Sequence, residues 1–79
     1  MKLRREISGD KLATLLKKYG YQITRQTGSH IRLTTAQQGE HHITIPAHKC
    51  LKIGTLSSIL SDIANHLKID KKDLIKELF

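Results

Sequence analysis

The sequence predicts an α+β fold in which helices cover one face of a three-stranded antiparallel sheet, in the order α-β-β-β-α with a short further helix at the C-terminus. Two observations predict this fold. Apolar residues recur at helical spacing near both ends of the chain, and three short segments between them alternate apolar with polar residues. The 79 residues, of which 38% are hydrophobic, match the size of one small domain spanning residues 1–79.

The first predicted helix begins after Ser8, whose side-chain oxygen can accept hydrogen bonds from the backbone amides that follow. Gly20 is expected to end this helix. The residues between them place one apolar stripe along the helix, which predicts that the helix packs on the sheet through that side. The stripe consists of Leu12, Leu15, Leu16 and Tyr19.

Three strands are predicted at residues 21–26, 30–34 and 42–45, because apolar and polar residues alternate there and neighbouring strand residues point to opposite faces. In the first strand, Tyr21 and Ile23 are expected to face the core. In the second strand Ile31 and Leu33 are expected to face the core, and in the third strand Ile43 and Ile45 are expected to face it. The alternate residues are expected on the uncovered face, namely Gln22, Thr24, His30, Arg32, Thr34, His42 and Thr44.

Two turns connect these strands. The first is short enough for a hairpin, and Gly28 is expected to supply the positive φ that such turns often require. The residues of the second turn, at positions 37–39, predict no function. Pro46 is expected to end the third strand because it has no backbone N–H to donate.

The longest apolar stripe predicts a core helix with Thr55 as its cap. A short last helix is predicted after Asp70, because Asp70 and Asp73 resemble a capping pair. The apolar positions of the core helix are Leu56, Ile59, Leu60, Ile63, Ala64 and Leu67, and those of the last helix are Leu74, Ile75, Leu78 and Phe79. Residues 66–79 could serve as additional core, as a contact for a partner protein or as a dimer contact.

The net charge of +7 is concentrated in residues 1–54, which hold ten Lys and Arg against three Asp and Glu, whereas residues 55–79 hold four of each. This imbalance predicts a polyanionic partner or an acidic protein partner. The sequence shows no secretory signal and no apolar run long enough to span a membrane, so a cytoplasmic protein is expected. The single Cys50 excludes an internal disulfide.

The five histidines do not predict a metal site, and no cofactor is expected. Adjacent strand residues such as His41 and His42 point to opposite faces, and Cys50 is the only thiol that could join them. His66 lies on the polar side of the core helix and is expected to be solvated.

RNA is the polyanion that the residues favour. Tyr19 and Tyr21 are expected to face inward, so stacking on bases is disfavoured and contacts should run through phosphates. His30 is the leading candidate for chemistry, because an imidazole can take and give a proton near neutrality and RNA supplies its own 2′-hydroxyl nucleophile. His42 and His48 rank below it. The residues expected to contact phosphates are Lys2, Arg4, Arg5, Arg25, Arg32, Lys49 and Lys52.

Four short motifs occur in order along residues 7–64: KKYGY, RQTGSH, ITIPAHK and LKIGTLSSIL. Together they resemble the HicA family of toxins from toxin–antitoxin pairs. The resemblance implies a fold similar to the double-stranded RNA-binding domain, cleavage of mRNA, and neutralisation by a HicB antitoxin. It also implies that His30, in the GSH motif with Gly28 and Ser29, is the catalytic histidine. Pro46 and His48 match the second motif of the family by position.

Three functions are therefore compatible with the sequence. The leading one is a ribonuclease toxin in which basic residues hold RNA, His30 exchanges a proton, and Ser29 helps to orient the phosphate. The second is an RNA-binding module of the same fold that does not cut. The third is a protein-interaction domain whose basic face binds an acidic partner. The sequence leaves open whether His30 acts as acid or base, which RNA is preferred, and the oligomeric state.

Overall fold

The computed structural model describes residues 7–79 and shows the expected order of elements, with helices before and after an antiparallel sheet. The strands lie in the spatial order β1-β2-β3. The elements are α1 at Gly9–Leu16, a 3-10 helix at Lys17–Tyr19, β1 at Gln22–Thr27, β2 at His30–Thr35, β3 at His41–Pro46, α2 at Ile53–Leu67 and α3 at Lys71–Leu78.

One face of the sheet forms the floor of the core. Ile31 and Leu33 of β2 are fully buried, and Ile43 and Ile45 of β3 are at most 5% exposed. They pack in a single cluster with the buried leucines and isoleucines of the three α-helices. The predicted α+β fold with a three-stranded antiparallel sheet is confirmed. The alternate residues of β2 and β3 are largely exposed, and we call the face that they form the open face.

The start and end of α1 follow the sequence prediction. The Ser8 side chain accepts a hydrogen bond of 3.0 Å from the Lys11 backbone N–H. At the other end the chain tightens into the 3-10 helix and stops at Gly20, whose φ of +80° is readily accessible to glycine.

The edge strand β1 differs from the prediction. Tyr21 is fully buried as expected, but Ile23 is 44% exposed. Ile23 pairs with Leu33 and so shares its face, yet all six residues of β1 are exposed because the helices do not cover this edge. The inward assignment of Ile23 therefore gives the correct face but the wrong burial.

The predicted caps of the later helices are also wrong in detail. The helix α2 begins at Ile53, two residues before Thr55, with Lys52 at the capping position and no side-chain cap hydrogen bond. Asp70 does occupy the capping position of α3, but its side chain makes no cap hydrogen bond. Packing of the apolar faces, rather than capping by side chains, therefore defines where these helices lie.

The last helix is part of the core. Leu74, Ile75 and Leu78 are buried. The Lys18 ammonium donates to the backbone carbonyl of Glu77 at 3.2 Å and forms an ion pair with its carboxylate at 3.5 Å. Of the three roles open for residues 66–79, additional core is the one that the structure shows.

Candidate functional site

The GSH turn places His30 at the accessible end of β2. His30 is exposed, and its Nδ1 lies 3.1 Å from the hydroxyl oxygen of Ser29. The Ser29 carbonyl oxygen accepts a 2.9 Å hydrogen bond from the Ala47 N–H. This bond attaches the turn to the end of β3 and limits the positions that the His30 backbone can take.

The IPAH segment meets the same end of the sheet. Pro46 pairs opposite His30, and the carbonyl oxygen of His48 accepts a 2.9 Å hydrogen bond from the Gly9 N–H at the start of α1. A Cβ atom on Gly9 would overlap the carbonyl oxygen of Pro46, so only glycine fits there. Two motifs far apart in sequence therefore meet, and His48 is exposed beside them.

Gly28 does not have the conformation predicted for it. Among the described glycines, positive φ is found at Gly20 and Gly39 and not at Gly28. A Cβ atom on Gly28 would meet nothing within 4 Å. The backbone of the turn does not require glycine at this position, whereas the second turn uses positive φ at both Gln38 and Gly39.

The basic residues expected to bind RNA fall into two groups, and all of those in the described part of the chain are exposed. Arg25 and Arg32 lie directly opposite each other on β1 and β2. Lys49 and Lys52 lie in the segment leading into α2, where the helix dipole adds positive potential. Lys2, Arg4 and Arg5 lie outside the described residues.

A second group of histidines at the opposite end of the sheet has a structural role that the sequence did not indicate. His41 Nδ1 lies 2.7 Å from the Tyr21 hydroxyl oxygen, and its Nε2 lies 3.3 Å from the Asp62 carboxylate. The His66 ring stacks on the His41 ring with centroids 4.3 Å apart. We call this group, Tyr21, His41, Asp62 and His66, the histidine cluster.

The prediction that His66 is solvated is wrong. Its Nε2 donates to the carbonyl oxygens of Gln37 and Gly39, at 2.9 and 3.0 Å, and so ties the second turn to α2. The contact joins residues that are 29 and 27 positions apart, so no local sequence pattern indicates it. His42 is also engaged, with Nδ1 2.8 Å from the Thr34 hydroxyl and Nε2 3.3 Å from the Glu40 carboxylate.

Burial makes the Tyr21 hydroxyl hard to ionise. Loss of solvation raises its pKa to about 12, and the negative charge of nearby Asp62 acts in the same direction. Tyr21 is therefore a neutral hydrogen-bond donor across the physiological range and does not act as a proton acceptor.

No group of three or more His, Cys, Asp or Glu side chains within residues 7–79 is arranged to hold a metal ion. No helix in the same range is both long and apolar enough to cross a bilayer. These observations describe a small basic α+β protein with an accessible histidine at the end of a strand.

Comparison with protein families then identifies the chain. Residues 9–64 match the family described as "HicA toxin of bacterial toxin-antitoxin". The chain belongs to this family, as its motifs indicated, and it is a toxin whose partner is an antitoxin. Searches of curated proteins and of solved structures gave no match. The match includes the GSH and IPAH motifs and ends before α3.

Proposed function

We propose that this toxin is a ribonuclease that cleaves mRNA by acid–base chemistry centred on His30. The observation that carries the proposal is the exposed His30 imidazole in the GSH motif of a HicA chain, held through its backbone and not enclosed by apolar side chains. An imidazole in this position can reach a polynucleotide.

The chemistry needs only a proton acceptor, a proton donor and cations. Transfer of the RNA 2′-hydroxyl proton to a base lets O2′ attack the neighbouring phosphorus, and the departing 5′ oxygen receives a proton. The Ser29 hydroxyl can assist either role of His30. When Nδ1 of the neutral ring donates to Ser29, Nε2 is free to accept the 2′-hydroxyl proton; the protonated ring carries a proton on both nitrogens and can give one from Nε2 to the departing oxygen.

His48 is the second imidazole at this end of the sheet, and we propose it as the partner in proton transfer. It follows Pro46 by two residues, and Pro46 pairs with His30. Lys49 and Lys52 follow in the chain and add positive potential at this end of the sheet.

A HicB-like antitoxin is proposed to neutralise the toxin by covering the same end of the sheet. The net charge of +7 favours an acidic surface on that partner. Opposite charges would also speed its association with the toxin, because long-range attraction raises the rate of encounter.

The test is degradation of a long mRNA by purified protein in excess EDTA, comparing wild type with His30→Ala and His48→Ala. We expect a loss of at least about 100-fold for His30→Ala, because positioned acid–base catalysis contributes roughly 10²–10⁴-fold. The matched control is His66→Ala, which removes an imidazole from the histidine cluster instead. Unchanged cleavage by His30→Ala would refute the role of this residue, and loss of wild-type activity with EDTA would indicate a metal-dependent enzyme.

Two other outcomes would favour the alternatives. Salt-sensitive binding that leaves the RNA intact for both wild type and His30→Ala would indicate a binding module. Failure of the wild type to bind RNA at low salt would favour a protein-interaction domain.

A further inference from the structure

The register of the sheet contains an irregularity that changes the direction of one arginine. Between β1 and β2, Ile23 pairs with Leu33, but the next pair is Arg25 with Arg32, so Thr24 is an extra residue in β1. In a regular strand Arg25 would share the face of Ile23, two residues before it. The bulge at Thr24 instead places Arg25 on the face of its partner Arg32.

That face is the open one. Arg32 lies between the buried residues Ile31 and Leu33 on β2, so its side chain points away from the core. Thr24 is on this face as well, since its hydroxyl oxygen is 3.2 Å from that of Thr34.

The two arginines are placed unfavourably for the stability of the free protein. Directly opposed strand residues have Cβ atoms about 4.5–5.5 Å apart, and like charges there repel. The ion pairs within residues 7–79 join Lys18 to Glu77, His41 to Asp62 and His42 to Glu40, so neither arginine has a carboxylate partner in this range. An anion bound between the two guanidinium groups would remove the repulsion.

The arginine pair is next to the proposed catalytic residue. His30 and Arg32 are two residues apart on one face of β2, which separates their Cα atoms by about 7 Å. Their partners on β1 are Thr27 and Arg25. Beyond Arg32, the face continues into a cleft of about 420 Å³ that is also lined by Thr44 of β3 and Asp62 of α2.

We propose that Arg25 and Arg32 form a clamp for an RNA phosphate next to the one at His30, so that the RNA strand runs over the open face of the sheet. This inference rests on the proposed ribonuclease function and names the path of its substrate. Guanidinium groups suit the task because their planar donors bind phosphate oxygens in pairs. The competing path runs over the α2 end, along Lys49 and Lys52.

Binding is measured in the His30→Ala background, so that RNA stays intact, with a fluorescent single-stranded RNA of fixed sequence at several salt concentrations. Arg25→Gln and Arg32→Gln are each expected to weaken binding about fivefold near 0.1 M salt, and the double variant is expected to reduce the salt-dependence slope by about 0.7, the value for one phosphate contact. The double variant should lose less than the two single losses combined, because both side chains hold one phosphate. The matched control is Lys76→Gln on α3, which removes one exposed charge and should change neither quantity.

Stability provides an independent measurement. Removal of either arginine should raise the urea midpoint of the RNA-free protein slightly, since it relieves the repulsion across the strands.

The outcomes separate this inference from the function on which it rests. If wild type cleaves RNA and His30→Ala does not, but Arg25→Gln and Arg32→Gln bind like Lys76→Gln, the clamp is refuted and the ribonuclease stands. Loss of binding only with Lys49→Gln and Lys52→Gln would place RNA on the α2 end. If RNA is bound through the arginine pair but never cleaved, the ribonuclease is refuted and the clamp stands.

Discussion

The two ends of the sheet hold histidines in very different surroundings. At one end, His30 is exposed, and within the described residues its ring forms a hydrogen bond with the Ser29 hydroxyl. At the other end, the His41 side chain is 17% exposed and contacts three further side chains of the histidine cluster. The comparison indicates that an imidazole is available for chemistry where the fold leaves one of its nitrogens exposed and without a partner in the described part of the chain, as it does for His30 Nε2.

The largest expected effects come from removing one histidine at each end of the sheet. His30→Ala should abolish most RNA cleavage while changing the free energy of unfolding by less than about 0.5 kcal/mol, as is usual for a surface position. His66→Ala should do the opposite and destabilise the fold by about 1–2 kcal/mol, because it breaks the bonds to two turn carbonyls. Urea denaturation and RNA cleavage on the same samples check both. Equal stability loss in the two variants would contradict the comparison.

The glycines near the GSH end should also separate fold from function. Gly9→Ala should destabilise the protein by about 2 kcal/mol, because its methyl group would overlap the Pro46 carbonyl. Gly28→Ala should leave thermal stability unchanged, since there is open space around it and its φ is not positive. If RNA approaches the turn closely, Gly28→Ala will nevertheless lower kcat/KM for cleavage. A destabilised Gly28→Ala protein would show that the fold itself needs this glycine.

The histidine cluster predicts a dependence of stability on alkaline pH. The pKa of Tyr21 is raised to about 12 in the folded protein from the ordinary value of 10.0, so the unfolded chain ionises first as pH rises. Stability contributed by the neutral hydroxyl is complete below pH 10 and is lost between about pH 10 and 12. Tyr21→Phe should cost about 1 kcal/mol at neutral pH and flatten this decline. Urea midpoints at pH 7, 9 and 10.5 test it, and an unchanged decline would assign the effect to other groups.

The smallest expected effect concerns Ser29. Ser29→Ala removes the hydroxyl next to His30 Nδ1 and should lower kcat/KM roughly fivefold, the value of about one exposed hydrogen bond. Ser29→Thr keeps a hydroxyl and should recover most of the activity. Neither change should move the melting temperature, because the bond that holds the turn uses the Ser29 backbone carbonyl. Equal activity of all three proteins would show that the Ser29 hydroxyl does not position His30.

Local patterns determined much of this molecule. Alternation on β2 and β3 predicted both the buried and the open face, because side chains on a strand alternate irrespective of what packs against them. Ser8 predicted the start of α1 and Gly20 predicted the end of the 3-10 helix that follows it, through hydrogen bonding and backbone freedom that involve only near neighbours. The GSH motif likewise indicated His30 as the candidate catalytic residue from the sequence alone, and the structure leaves that residue exposed.

Tertiary structure decided what depends on residues distant in the chain. The bulge at Thr24 places Arg25 on the open face through the pairing of β1 with β2, and no residue in β1 predicts this bulge. His66 has a structural role because α2 lies beside the second turn, where two carbonyl oxygens accept hydrogen bonds from its Nε2–H. The sequence supplies the arginines and histidines, but their roles depend on strand register and packing. Both are set by contacts between elements and not by neighbours along one strand.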